Sequence, residues 1–249
     1  DSGVFLFDWK NEKVLNKIEY RENDIKGLSN DRVYSLLQLN ENQLFVGTNS
    51  NLDLIDFNIP YFKNISKNKG AHILNDNSIS AIFKDEEYTW VGTSVGGLNL
   101  ITRDKTYYFK EDQTKPFGIT GNEVREILKD TKNQRLWIAT TRGLNMIDLK
   151  TFDPDLPIFK TFTYDPKNHN SISNDFLKGI TLDTEYNVWG ATYGHGIFRL
   201  QLSNDNTVSI IRFKNNKSDP NSLANDFVEK IFSDPKNTIW AGTQGGLSR

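Results

Sequence analysis

Three observations predict an all-β chain folded as a β-propeller of four-stranded antiparallel blades. The first is self-similarity: "LWIATTRGLNMID" from Leu136 recurs as "LFVGTNSNLDLID" from Leu44, "TWVGTSVGGLNLI" from Thr89, "VWGATYGHGIFRL" from Val188 and "IWAGTQGGLSR" from Ile239. The aromatic anchors Phe45, Trp90, Trp137, Trp189 and Trp240 stand 45, 47, 52 and 51 residues apart, close to the period of a propeller blade. The second is pattern. The apolar runs are short, β-branched or aromatic and bounded by turns, whereas a helical solenoid needs apolar residues at i, i+3, i+4 and i+7 over ten or more residues. The third is composition, 37% apolar and 12% aromatic, which suits short twisted strands joined by many polar turns.

Each unit opens with a strand led by a polar loop: "LSNDRVYSL" from Leu28, "LNDNSISAI" from Leu74, "ITGNEVREI" from Ile119, "ISNDFLKGI" from Ile172 and "LANDFVEKI" from Leu223. A turn such as "KDTKNQR" or "SDPKNT" reverses the chain through Asp, Asn and Pro chemistry. The second strand carries the aromatic anchor, expected to pack between blades. Small residues beside it, Gly47, Gly92, Ala139, Ala191 and Gly242, suit a close approach of strands. A threonine and a glycine-rich reversal lead to strand three, and "TYYFK", "IFKTFTY" or "VSIIRF" supplies strand four. This divides the chain into the last two strands of a blade (1–20), full blades at 21–66, 67–112, 113–165 and 166–216, and the first two strands of a blade (217–249). The two incomplete ends would make one composite blade if a ring of five closes; an arc of a larger, seven-bladed propeller is the alternative.

Thirty basic against thirty-two acidic residues give a net charge of -2 without a block of one sign, so neither nucleic acid nor direct membrane insertion is expected. Cysteine is absent, which excludes disulfides and thiolate chemistry and leaves the compartment open. No cofactor or metal is expected.

The combination of "SND" or "NSLANDFV", an aspartate and turn, "LWIAT" or "IWAGT" and "GGLNLI" resembles the two-component regulator propeller repeat, in five copies over nearly the whole chain. The resemblance implies an extracytoplasmic, periplasmic propeller, typically of seven blades and often in tandem. Such propellers stand ahead of a β-sandwich module and a membrane-attached histidine kinase. Many of these proteins are hybrid two-component systems of gut Bacteroidetes that detect oligosaccharides and switch on polysaccharide-utilisation genes. The implied partners are an oligosaccharide and the remaining sensor modules and kinase of a parent protein, with a homodimer left open. Five units are fewer than usual, and copy one ("GTNSNLDL") lacks the Gly-Gly pair. Kinase chemistry falls on no residue here.

In a four-stranded meander the loop leading into strand one and the loop between strands two and three emerge on one face, so both should line a rim. One aligned position holds Asp31, Asn77, Asn122, Asp175 and Asp226, either as ligand contacts or as Asx-turn residues bonded to their own backbone. The second loop varies: Asn49, Ser50 and Asn51; Ser94 and Val95; Arg142; Tyr193 and His195; Gln244. An aromatic ring, an arginine and amides suit a sugar, which places Tyr193, Arg142 and His195 first among ligand-binding candidates. Two other classes are kept. Streptogramin lyases are similar propellers whose family chemistry uses a histidine with a metal-assisted base. Of His72, His169 and His195, His195 alone stands in a rim loop. A protein-docking platform is the other, although no exposed apolar motif is evident, and the "KSDPNS" and "YDPKNHNS" linkers read as solvated connectors.

Overall fold

The computed structural model describes residues 3–22, 27–57, 63–67, 73–112, 114 and 118–249. It divides into two compact units, 1–108 and 109–249. His72 lies outside the described residues.

Every sheet is antiparallel, and four of them are the expected meanders. They comprise β3 (Val33–Asn40), β4 (Gln43–Thr48), β5 (Leu52–Asp56) and β6 (Lys63–Ile65); then β7 (Ile79–Lys84), β8 (Thr89–Thr93), β9 (Leu98–Ile101) and β10 (Thr106–Phe109). The third holds β11 (Val124–Asp130), β12 (Arg135–Thr140), β13 (Gly143–Asp148) and β14 (Lys160–Phe162). The fourth holds β15 (Leu177–Leu182), β16 (Val188–Thr192), β17 (Ile197–Leu202) and β18 (Val208–Phe213). The ends differ from expectation. β1 (Val4–Asp8) and β2 (Lys13–Ile18) form a sheet of their own, and β19 (Val228–Ser233), β20 (Ile239–Thr243) and β21 (Gly246–Ser248) form another. Residues 217–249 therefore supply three strands where two were expected.

Second strands are covered on both faces, so β8 and β12 are buried at every residue and read as continuous apolar runs. Trp90 and Trp137 are buried to 0% and 1% exposure, and Trp137 shares a core cluster with Leu177, Ile180 and Val188 of the following sheet. Trp189 and Trp240 instead give their indole N–H to turn aspartates, at 2.9 Å to Asp183 and 3.0 Å to Asp234. The invariant threonine has a turn-closing role: Thr48, Thr93, Thr140, Thr192 and Thr243 each donate Oγ1–H to a carbonyl across the reversal, at 2.7–3.0 Å.

Blade four departs from its neighbours in a compensated way. Where Val91 faces Asn99 and Ile138 faces Asn145, Gly190 faces Phe198. A Cβ on Gly190 would stand 2.2 Å from Phe198 Cζ, so the ring occupies the volume that the missing side chain leaves.

Candidate ligand-binding rim

The leading loops are built from two adjacent polar residues with different tasks. Asn30, Asp76, Asn174 and Asn225 form the Asx turn, accepting the amide two residues on at 2.7–2.8 Å. The next residue reaches back to the end of the preceding outer strand. Asp31 accepts the amide of Tyr20, Asn77 that of Lys67, Asn122 that of Glu111, Asp175 that of Tyr164 and Asp226 that of Asn215, at 2.6–2.8 Å. These five residues are thus clamps between successive segments, and the Asx turn belongs to their neighbours.

The two loops do meet in each unit through backbone bonds, for example Tyr193 N–H to the Phe176 carbonyl and Gln244 N–H to the Phe227 carbonyl, both 3.0 Å. A second device was not visible beforehand. Each inner strand carries a bulge directly after its first residue, an apolar one in all five, at Tyr34, Ser80, Arg125, Lys178 and Glu229. A bulge re-aims the extra side chain, here beside the rim loops. The sequence signal was the chemical variation of that position between an invariant apolar residue and the rest of the strand.

In the 109–249 unit these devices assemble an aromatic shelf. Tyr193 lies between Phe176, at a centroid distance of 5.4 Å, and Phe227, at 4.9 Å and nearly perpendicular. Tyr193 is 45% exposed and Phe227 37%, so ring faces are open to solvent. Gly194, at φ +80°, lets the loop turn with its backbone against Phe227. Lys178 Nζ stands 5.4 Å from the Tyr193 ring centre and 2.7 Å from Glu229, which also accepts Gln244 Nε2–H at 3.0 Å. Those bonds to Lys178 and Gln244 hold the Glu229 carboxyl below its ordinary range. Arg125 covers Phe176 at 5.6 Å and pairs with Glu123 at 2.6 Å. Deeper, burial pushes the Glu126 carboxyl up, with Lys230 opposing from 3.9 Å. Glu126 lies over Gly179, where a Cβ would come within 3.0 Å of its carboxylate oxygen.

Tyr193 and Gln244 thus share one network through Lys178 and Glu229. Arg142 instead pairs with Glu111 at 3.3 Å. His195 Nδ1 meets the Asn174 amide at 3.1 Å, and its ring faces Tyr164 at 6.5 Å. The same Nδ1 lies 3.4 Å from the Tyr193 carbonyl, and among the described residues no hydrogen bond or ion pair joins His195 to a carboxylate. Asn49 and Ser94 belong to the 1–108 unit, where Asn49 accepts the Tyr34 hydroxyl at 3.1 Å and Ser94 accepts that of Ser78 at 3.1 Å. Among the described residues no three of His, Cys, Asp and Glu converge as a metal site.

No family model matches the chain. It is 27% identical over 255 residues to histidine kinase P4 of Formosa agariphila, a match covering 99% of this chain and 17% of that protein. The solved extracellular domain assigned to the hybrid two component system BT4673 of B. thetaiotaomicron is similar at TM-score 0.56 and 16% identity, over 99% of this chain and 37% of that one. The β-propeller domain of Cps50 (Swd1) from Myceliophteria thermophila is similar at TM-score 0.64 and 14% identity, over 98% of this chain and 75% of that one. The fold is that of a β-propeller, with four complete four-stranded blades among the described residues. The resemblance to the two-component regulator repeat agrees with the histidine kinase and the hybrid two component system among these likenesses. The chain spans about a sixth of the curated relative and just over a third of the BT4673 domain.

Proposed function

We propose that this chain is a non-catalytic, extracytoplasmic sensory segment of a two-component signalling protein, and that its rim binds an oligosaccharide that regulates polysaccharide utilisation. The observation that carries the reading is the shelf of Phe176, Tyr193 and Phe227 edged by Lys178, Glu229 and Gln244. Aromatic faces accept the C–H face of a pyranose, while an ammonium, a carboxylate and an amide offer paired donors and acceptors to its hydroxyls. The kinship with a histidine kinase and with an extracellular domain of a hybrid system supports the periplasmic, kinase-linked setting. The ligand would bias a kinase of the parent protein through unequal affinity for two arrangements of the sensor.

The test is calorimetric titration with oligosaccharides released from plant and host polysaccharides, repeated on Tyr193→Ala. Removing the central ring of the shelf is expected to cost on the order of 1–2 kcal/mol, roughly tenfold in Kd. A binder whose affinity ignores the substitution would place sugar recognition elsewhere.

A further inference from the structure

We propose that a second site, in the cleft between the turns of the β11–β14 and β15–β18 sheets, binds a small molecule through an oxyanion group, a carboxylate, sulfate or phosphate. It lies at the opposite strand ends from the rim and shares no residue with the shelf. The cleft encloses about 360 Å³, within the range of small-ligand pockets, with Met146 in its lining beside Lys132, Arg135, Lys150 and three asparagines, Asn133, Asn204 and Asn206.

Its charges are unbalanced. Among the described residues, Lys132, Arg135, Lys150 and the adjacent Lys160 form no ion pair, and the one carboxylate in the lining is Asp148. Asp130 and Asp148 stand directly across the ladder on either side of Arg135, yet Asp130 accepts the backbone and side-chain amides of Asn133, at 2.9 and 2.7 Å, Asp148 accepts the Lys150 amide at 3.0 Å, and neither pairs with the guanidinium. In the adjoining groove, Glu185 is engaged by the Asn187 amide at 3.3 Å.

Arg135 is only 9% exposed and is pinned by the carbonyls of Leu202, at 2.7 Å, and Ser203, at 3.4 Å. A guanidinium whose hydrogen bonds go to neutral carbonyls, with its neighbouring carboxylates engaged by amides, keeps its charge available to a ligand, and holding it in place removes the entropy an anion would otherwise have to overcome. Lys160 reports the same field: burial and then the like charge of Arg135 push its pKa down. Its Nζ reaches Asn206 Oδ1 at 3.4 Å, at the cleft wall. An oxyanion here would gain charge-assisted bonds from a fixed guanidinium and flexible ammonium groups, with amides left for neighbouring hydroxyls.

The experiment titrates the intact chain with sulfate, phosphate and glucuronate in turn, against sodium chloride at matched ionic strength, by calorimetry and amide NMR. Saturable binding of one or more of the three is expected, with shifts at residues 132–150 and 202–206. The arm that binds identifies the oxyanion. Lys132 and Lys150 are exposed, so Lys132→Ala/Lys150→Ala spares the core, and it is expected to weaken binding about tenfold or more. Tyr193→Ala is expected to leave it unchanged, which separates this site from the rim. Absence of saturable binding by all three anions in the millimolar range, or affinity retained by the double variant, would overturn the proposal.

Discussion

Asp53 shows how a single residue can be judged by its counterparts in neighbouring blades. In blades two and three the position is Asn: Asn99 accepts the Asn75 amide at 3.0 Å and donates to the Val91 carbonyl at 3.1 Å, and Asn145 makes the equivalent bonds to Thr120 and Ile138. Asp53 accepts the Ser29 amide and hydroxyl through Oδ2, at 2.9 and 2.8 Å, but its buried Oδ1 has no partner. Burial raises its pKa above the ordinary 3.8, against the pull of those two bonds. A carboxyl with a raised folded pKa contributes fully below its unfolded value, and that contribution is lost as pH climbs through the folded one. Asp53→Asn is therefore expected to stabilise at pH 7 by about 1–3 kcal/mol, the cost of an unsatisfied buried group, and to remove part of the stability loss above about pH 4. Urea denaturation of both proteins between pH 4 and 8 measures this. An Asn variant less stable at pH 7 would contradict the assignment.

Among the elements, the linker at 164–171 shows more structure than its sequence announced. It is exposed from Tyr164 to Asn170, as a solvated connector should be, and it is also stitched to the outer strand of its own blade. Asn170 pairs with β18 like a strand residue, donating to the Val208 carbonyl at 2.8 Å and accepting the Ile210 amide at 2.7 Å. Arg212 donates to the carbonyls of Ser171 and Asn168, at 2.7 and 2.8 Å, and stands 5.3 Å over Tyr164. Arg212→Ala is expected to destabilise by roughly 1–3 kcal/mol and to speed tryptic cleavage after Lys167; Arg212→Lys should recover little, because an ammonium lacks the planar fork. Unaltered cleavage would show that the linker is held by its own turns. A different element, the β1–β2 ribbon, exposes Phe5, Leu6, Phe7, Trp9, Val14 and Leu15, apolar residues that strand-by-strand reading did not single out.

At the level of the whole molecule, apolar packing is uneven. Among the described residues β12 and β13 are buried at every position but Asp148, whereas no residue of β1 or β2 is fully buried. In a repeat protein, stability is close to a sum over units and their nearest neighbours, so local opening should follow this gradient. Hydrogen exchange is expected to be slowest in β12, β13, β16 and β17 and fastest in β1 and β2. Uniform protection would instead mean one cooperative block.

The repeat, the strand order within each blade, the turn chemistry and the meeting of two loops at one rim could be read in advance, because each is a one-dimensional pattern whose partners lie within a hairpin. Tyr193 and Gln244 were legible as rim residues for the same reason. Their partners were not. Lys178 and Glu229 reach the shelf through bulges, and the chemical variation at the bulge position does not say which loop its side chain will meet. The clamp made by Asp175 spans 11 residues, and the carbonyls that hold Arg135 stand 67 and 68 residues away. Contacts of that kind depend on which sheets become neighbours and which way each side chain leaves its strand. Local sequence chemistry specifies the blade; the packing of blade on blade creates the shelf and the cationic cleft.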